Sequence, residues 1–561
     1  MSNIIESTSV STSPPAIIPE EFTYTTEGKA TILTPKKDEV FYNPIQQFNR
    51  DLSTLSIIAY DEMRRDTYSK KNNKRRKLHN LNILEALSAS GLRSCRYGLE
   101  IPNVQKIIAN DLSKDAVAAI DRNIQHNHIQ HKVESNEDDA IKFMGSTNKK
   151  FHIVDLDPYG TASPFIDSAI QCIEDDGMLL VTCTDAAVLA GSGYPEKCFA
   201  LYGGNNFGNS YINNETNHEV GIRLMLNLVA TTAAKYKKSI EPLLCLSIDY
   251  YFRCWIKIKT SPIKVKDHAS ETMLVYGCNG CGNKKVQPLG LKKGPTKFIY
   301  PKLVTPISSN CEFCESTFNL AGPMYAGNLQ NEEFINKILE LNANPNNKSI
   351  YKTHERIKGM LTLAKNELKD VPFYYNLNHL SSLFKTSPIS IDEYSKAVGN
   401  LNSKISEDEE TTKLNLSLTH AKKNCIKSNI NWETNLKIIR QWMIDVNKEY
   451  YDNMIKRQDE DKEELNDKIK EKLKFLKENN FIYNSNLRED SAGGKILKYF
   501  ARKEEQQSQS QSQTQSDIEE IAIDFKTSNE ISEQISKLRK VKMVRYQENP
   551  TKNWGPMSRP K

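Results

Sequence analysis

Across 561 residues the chain contains no apolar run long enough to span a bilayer, and it shows no apolar leader of the secretory type. From these absences the protein is expected neither to span a membrane by helices nor to be secreted, and to lie in a reducing compartment. The 11 cysteines are therefore expected as thiols or metal ligands, with disulfides the lesser alternative. Residues 1–22 carry neither lysine nor arginine. A mitochondrial presequence is amphipathic and arginine-rich, so this form of the chain is expected to lack one, and its Ser/Thr/Pro-rich start reads as disordered. No segment repeats, which excludes solenoid arrays. Charge is scarce in net terms, only +6, but it is unevenly spread. Between Arg253 and Lys302 ten lysines and one arginine meet two acids, with Tyr and Phe interleaved. Such a field suits a phosphate backbone, and a solvated lysine-rich face is its plainer reading.

The chemistry-bearing stretch is Phe151-His152-Ile153-Val154-Asp155-Leu156-Asp157-Pro158-Tyr159-Gly160. A short apolar strand ends in an acid-proline-aromatic-glycine turn. Taken alone the four letters make an ordinary turn. They also suit the holding of a planar exocyclic amine, whose lone pair is delocalised into its ring. Asp157 can accept one N–H and the Pro158 carbonyl the other, while Tyr159 offers a face for stacking worth about 1–3 kcal/mol. Asp155 lies two residues earlier, and period-two alternation puts both acids on one face, so a swap of roles stays open; Asp157 is favoured because it directly precedes the proline.

Upstream, Leu81–Glu85 reads as a buried strand running into Ala86-Leu87-Ser88-Ala89-Ser90-Gly91-Leu92-Arg93, a loop of small residues. The next strand, Val104 to Ala109, closes with Asn110-Asp111, an acid placed to bind a ribose diol, and a third polar strand end follows at Glu137-Asp138-Asp139-Ala140. Alternating strands and helices with polar carboxyl ends predict a doubly wound α/β sheet. Leu87 and Ala89 replace the first two glycines of a dinucleotide fingerprint, which disfavours a pyrophosphate. S-adenosylmethionine carries no phosphate and needs only the acid and the small-residue loop. With the amine-holding turn, the combination points to a methyltransferase.

The segments Glu27–Ala30, Val40–Ser53, Ser90–Ser94, Asn110-Asp111, Asp155–Gly160, Thr184–Leu189, Pro195–Cys198 and Gly322–Gly327, in this order, resemble the tRNA guanine-26 N2-dimethyltransferase family. The resemblance implies a class I, Rossmann-like S-adenosylmethionine-dependent fold acting on the exocyclic N2 of a guanine in tRNA. It implies donor contacts from Arg50, Arg93, Asp111, Asp139 and Ala140, a guanine held between Phe41 and Tyr159, and Asp157 as catalytic acceptor with Pro158. The family often has Phe at the position of Tyr159, which keeps stacking but assigns nothing to the hydroxyl. Each arginine is expected to meet the methionine carboxylate in a bidentate pair that lysine cannot form. An amine methyltransferase for another RNA or DNA base and a tRNA chaperone on a retained fold are the alternatives.

Cys278-x-x-Cys281 and Cys311-x-x-Cys314 have the spacing of a zinc ribbon, a closed four-thiolate structural Zn2+ site in a second, α+β domain. The expected organisation is a disordered segment 1–22, a methyltransferase domain 23–266, a zinc-bearing tRNA-binding domain 267–500 and a linker with a basic-aromatic tail at 501–561. Within that layout, Trp432 to Lys477 reads as helical and Gln506 to Ser516 as flexible. The tail either contacts RNA or packs back on the second domain. The basic run Lys70–Lys77 reads as a surface insertion, a tRNA contact or a nuclear localisation signal; on the last reading the protein is expected in the nucleus, with a mitochondrial form through an alternative start. The protein is expected to act as a monomer, off the membrane.

Overall fold

Leu81–Glu85 and Phe151–Leu156 are apolar on both faces, and they pair in parallel at the centre of a seven-stranded sheet. The computed structural model describes residues 20–36, 42–70, 78–191, 193–208, 211–303, 308–402, 413–460, 466–510 and 523–540. Phe41, residues 1–19, 71–77, 511–522 and the tail 541–561 lie outside the described residues.

The chain opens with a hairpin, β1 (Phe22–Glu27) and β2 (Ala30–Pro35), then a long helix α1 (Gln47–Lys70). The sheet follows as β3 (Leu81–Glu85), α2 (Leu92–Glu100), β4 (Val104–Asp111), α3 (Lys114–His126), β5 (Val133–Glu137), α4 (Ala140–Ser146), β6 (Phe151–Leu156), α5 (Ile166–Cys172) and β7 (Ile173–Cys183). Two short helices, α6 (Ala186–Leu189) and α7 (Pro195–Tyr202), lead to α8 (Tyr211–Lys235), β8 (Lys238–Ile248) and β9 (Tyr251–Thr260). The strand order is β5-β4-β3-β6-β7-β9-β8, parallel except for β9, which runs antiparallel to both neighbours. The hairpin of β8 and β9 pairs from Ile248↔Tyr251 at its turn out to Lys238↔Thr260.

Past residue 266 the packing continues without a break. Met273, Val275, Ala321 and Met324 join the core beneath β6, β7 and α8, while Phe334, Ile338, Ile357 and Met360 pack with β3, β4 and α1 on the other face. A third core gathers the four ribbon cysteines with Tyr375, Leu436, Ile439, Met443 and Phe500. Two helices, Trp432–Glu460 and Asp467–Glu478, occupy the stretch expected to be helical. The flexible reading of 506–516 is corrected at its start, because a helix runs from Ala492 to Ser510. Adding a residue to an existing helix costs little, and Gln and Glu favour it. Up to Lys540 the C-terminal segment packs back: Ile531 and Ile535 of the helix Glu530–Lys540 are buried, and Asn529 Nδ2 donates to the Lys396 carbonyl at 2.8 Å. No helix among the described residues is long and apolar enough to cross a membrane.

Candidate active site

Strand order reverses between β3 and β6, and ligands of open α/β sheets bind at the carboxyl ends beside such a point. A cavity of about 700 Å³ lies there. Its wall includes Arg50 from α1, Glu85 and Leu87–Ser90 after β3, Arg93 from α2, Asp111 from β4, Asp157–Gly160 after β6, Thr184 after β7 and Asp249–Tyr251 between β8 and β9.

The small-residue loop makes its turn without the missing glycine. Ala89 adopts φ +48°, a left-handed conformation unusual for a side-chain-bearing residue, and its N–H donates to Asp111 Oδ2 at 2.8 Å. Gly91 caps α2 at φ +73°, where a Cβ would stand 3.2 Å from the Ile120 side chain. Asp111 Oδ1 also accepts from Ser113 N at 3.0 Å, and a carboxylate with about four acceptor sites still has capacity for a diol.

The two candidate acids part company. Asp155 is fully buried inside β6; it takes Tyr97 Oη at 2.7 Å and Arg253 Nη1 at 2.8 Å. Burial alone would raise its carboxyl, but Arg253 and Arg93 outweigh that and hold it below the usual range. Asp157 stands past the strand end, partly exposed on the cavity wall, where Arg93 Nη2 binds its Oδ2. Alternation had left the roles exchangeable; the end of the strand separates them. Tyr159 is 45% exposed on the same wall. The turn beneath it is fastened to β7, since Gly160 N donates to Thr184 Oγ1 at 2.7 Å and Thr184 N to the Gly160 carbonyl at 2.9 Å.

The arginines do not wait for a ligand carboxylate. Arg50 makes a two-pronged pair with Glu27, Nε to Oε1 at 2.7 Å and Nη2 to Oε2 at 2.5 Å. Arg93 is shared among Asp157, Asp155 at 3.4 Å and Glu85 at 3.5 Å. Cations this deeply buried need counter-charges within the fold itself, so protein carboxylates supply the bidentate partner expected of the ligand. Glu85, lodged at the end of β3, is pushed up to about 7 by burial. Beneath the cavity, Arg96 is fully buried and joins Glu27 at 2.6 Å, Asp51 at 2.7 Å and Glu100 at 2.9 Å. Asp51 in turn accepts from Thr353, through N at 3.2 Å and Oγ1 at 2.8 Å.

Asp139 and Ala140 do not line the cavity. The Asp139 side chain caps α4, accepting from Ile141 N at 2.9 Å and Lys142 N at 3.0 Å. Their turn abuts the wall, with Asp138 N donating to the Asp111 carbonyl at 3.2 Å. Phe41 lies outside the described residues, and its neighbour Tyr42 lines the cavity. Sequence reasoning missed Glu27, Tyr251 and Arg253. The run of buried polar residues on α1, from Asn49 to Asp51 and on to Ser53, Thr54 and Ser56, was the available sign of a charged interior.

Away from the cavity, strand pairing of Cys278 with Phe318 brings the two knuckles together. All four Sγ atoms are buried and lie within 4.8 Å of one another, Cys278 to Cys314 at 3.3 Å and Cys281 to Cys311 at 3.7 Å. Metal–sulfur bonds of about 2.3 Å in a tetrahedron imply sulfur–sulfur edges of about 3.8 Å. Gly280 N donates to Cys278 Sγ at 3.4 Å, and a Cβ on Gly280 would stand 2.2 Å from Ser316 Oγ. The cluster could hold a metal ion. The lysine-rich field is partly neutralised: Lys257 and Lys259 pair with Asp176, Lys285 with Glu312 and Lys292 with Asp267.

Residues 20–440 match the family described as N2,N2-dimethylguanosine tRNA methyltransferase. A mitochondrial tRNA (guanine(26)-N(2))-dimethyltransferase of Saccharomyces cerevisiae is 42% identical over 97% of this chain and 94% of its own. A Schizosaccharomyces pombe tRNA (guanine(26)-N(2))-dimethyltransferase is 35% identical over 95% of this chain and 92% of its own. Among solved structures, Trm1 from Pyrococcus horikoshii in complex with S-adenosyl-L-methionine superposes with a TM-score of 0.57 at 25% identity, covering 74% of this chain and 99% of that one. With the sheet order, the cavity and the turn at Asp157 all in place, the chain belongs to the N2,N2-dimethylguanosine tRNA methyltransferase family.

Proposed function

We infer that this protein methylates the exocyclic N2 of guanine 26 in tRNA, giving N2-methyl- and N2,N2-dimethylguanosine. The observation that carries the reading is Asp157, placed with Pro158 and Tyr159 on the wall of the cavity that Asp111 also lines. S-adenosylmethionine, when bound, supplies the electrophilic methyl group. Asp111 would hold its ribose hydroxyls, Arg50 and Arg93 would border its carboxylate, and the turn at Asp139 and Ala140 would flank its base. Asp157 would accept an N–H of the amine and stabilise the charge that develops on nitrogen, Pro158 would offer its carbonyl, and Tyr159 would stack on the base. Phe41 is proposed as the second stacking face. After one methylation the amine keeps one N–H, which the same carboxylate can accept in a second round.

The test uses the full-length protein, a tRNA transcript with guanine at position 26 and a second with adenine there. Nucleoside mass spectrometry should find N2-methyl- and N2,N2-dimethylguanosine only with the first. Methylated products of equal yield from both transcripts would move the target elsewhere.

The four clustered thiols are proposed to hold a structural zinc ion, since a closed Cys-only shell leaves no position for a reactant. Protein purified without chelators should carry about one zinc per chain, and Cys311→Ser should unfold the region around the third core. Metal analysis showing no zinc would end that assignment. The part of the chain from about 267 to 500, with the lysine-rich hairpin Leu291–Ile299, is proposed to grip tRNA phosphates, with the tail beyond Lys540 as a further contact. We propose a nuclear location with a mitochondrial form, the latter in keeping with the mitochondrial enzyme it resembles in Saccharomyces cerevisiae.

A further inference from the structure

The turn between β8 and β9 brings Asp249, Tyr250 and Tyr251 to the cavity, on the side of Asp157 away from Asp111 in the strand order. Tyr251 is only 4% exposed, yet its hydroxyl has no hydrogen-bond partner among the described residues. A buried hydroxyl left unpaired is costly, and native folds pair nearly all such groups. Here the residue also forms part of the cavity wall.

The turn that presents it is held from outside the sheet. Asp249 sits at φ +47°, and its Oδ1 accepts from Arg356 Nη2 at 2.8 Å; the Arg356 guanidinium lies over the Phe48 ring at 4.5 Å. Antiparallel pairing of Phe252 with Cys183 fixes the other side. Tyr251 and Arg253 are two residues apart on β9, so both point to the face of the sheet that carries Asp155. The turn that carries Tyr251 is thus held in place before any ligand arrives.

Its protonation state is settled as well. Burial pushes the phenol far above its ordinary value, and Asp249 and Asp157 push the same way against Arg356 and Arg253. At any working pH Tyr251 carries its proton and can donate.

We propose that Tyr251 is a substrate-binding residue whose hydroxyl donates a hydrogen bond to a ring acceptor, N3 or O6, of the target guanine. This rests on the guanine reading of the site above. Asp157 and the Pro158 carbonyl are acceptors and match the N–H groups of the guanine edge, but guanine also presents acceptors, and those require a donor. Tyr251 lies on the β9 side of Asp157, whereas Asp111 and the small-residue loop lie on the β3–β4 side. A base held at Asp157 therefore falls between the two groups.

Tyr251→Phe removes the hydroxyl and nothing that it binds within the protein. The melting temperature should stay the same or rise, and S-adenosylmethionine affinity should be unchanged. The kcat/KM for guanine-26 tRNA should fall roughly tenfold to a hundredfold, the loss that follows from leaving a buried acceptor unpaired. Transcripts carrying 3-deazaguanine or 6-thioguanine at position 26 then locate the acceptor. The analogue lacking the correct acceptor should be a poor substrate for the wild type, and the Phe variant should lose little further on it. If wild-type protein is active while Tyr251→Phe matches it on tRNA, the inference fails and the methylation reading stands. A variant impaired only in S-adenosylmethionine binding would also overturn it, by assigning the hydroxyl to the donor. Inactive wild-type protein would instead count against the methylation reading itself.

Discussion

Asp157→Asn is expected to lower the rate of methyl transfer by roughly 10²–10³, the size typical for loss of one preorganised electrostatic contact. Affinity for S-adenosylmethionine should change little, because Asp111, the acid proposed to hold its ribose, lies on a different strand. The amide keeps one acceptor oxygen, so the amine can still dock; what is lost is the full negative charge facing nitrogen as the bond forms. Asp155→Asn makes the contrast. That carboxylate is enclosed by Arg253, Arg93 and Tyr97, so neutralising it should leave buried cations without a counter-charge and reduce folded yield before it touches chemistry. Single-turnover kinetics with saturating donor read the first variant, and thermal unfolding reads the second. An Asp157→Asn enzyme with wild-type turnover would remove that carboxylate from the reaction.

Arg96→Ala should be among the most destabilising single changes in the chain. Its guanidinium satisfies Glu27, Asp51 and Glu100 at once and lies 5.7 Å from the Tyr351 ring centre. Truncating it leaves three carboxylates with no access to water, a loss of about 3–5 kcal/mol by analogy with broken buried pairs. That is a large share of the roughly 5–15 kcal/mol by which folded domains exceed their unfolded states. Arg96→Lys should rescue little, because an ammonium cannot present the planar fork that reaches all three acids. Burial alone would raise the Glu27 carboxyl, but Arg50 and Arg96 hold it below the usual range. Its contribution is therefore present at neutral pH and lost as pH falls through its folded value. A denaturant midpoint shifted by less than the equivalent of about 1 kcal/mol would show that the network relaxes around the gap.

Much of this architecture was readable from local pattern. Strands buried on both faces, such as Ile153–Leu156, announce themselves as apolar runs, and polar residues at their ends mark the ligand edge. The cysteine knuckles were legible because metal spacing is a local property. What escaped was long-range. Nothing near Glu27 says that it will face Arg50 and Arg96, and nothing near Tyr251 says that a turn stapled by Arg356 will bring it to the wall that Asp157 lines. Arg50 and Arg93 were read as ligand contacts because a guanidinium implies an anion, but a sequence does not show which anion arrives first. Asp139 was expected as a donor contact by family resemblance, and its side chain also caps a helix, a second role that an acid just ahead of a helix start can signal.

The contacts of Thr353 with Asp51, Tyr351 with Arg96 and Arg356 with Asp249 have a consequence for the order in which the molecule is made. Every residue assigned to donor or amine leaves the ribosome well before residues 351–356. Until those residues emerge, Asp51 lacks its Thr353 donors and the Asp249 turn lacks its staple. The nascent methyltransferase sheet can pair its strands, but the charged floor of its cavity closes only from the far side of the chain. Completion of that floor is thereby expected only once translation has passed the segment that also anchors the second half.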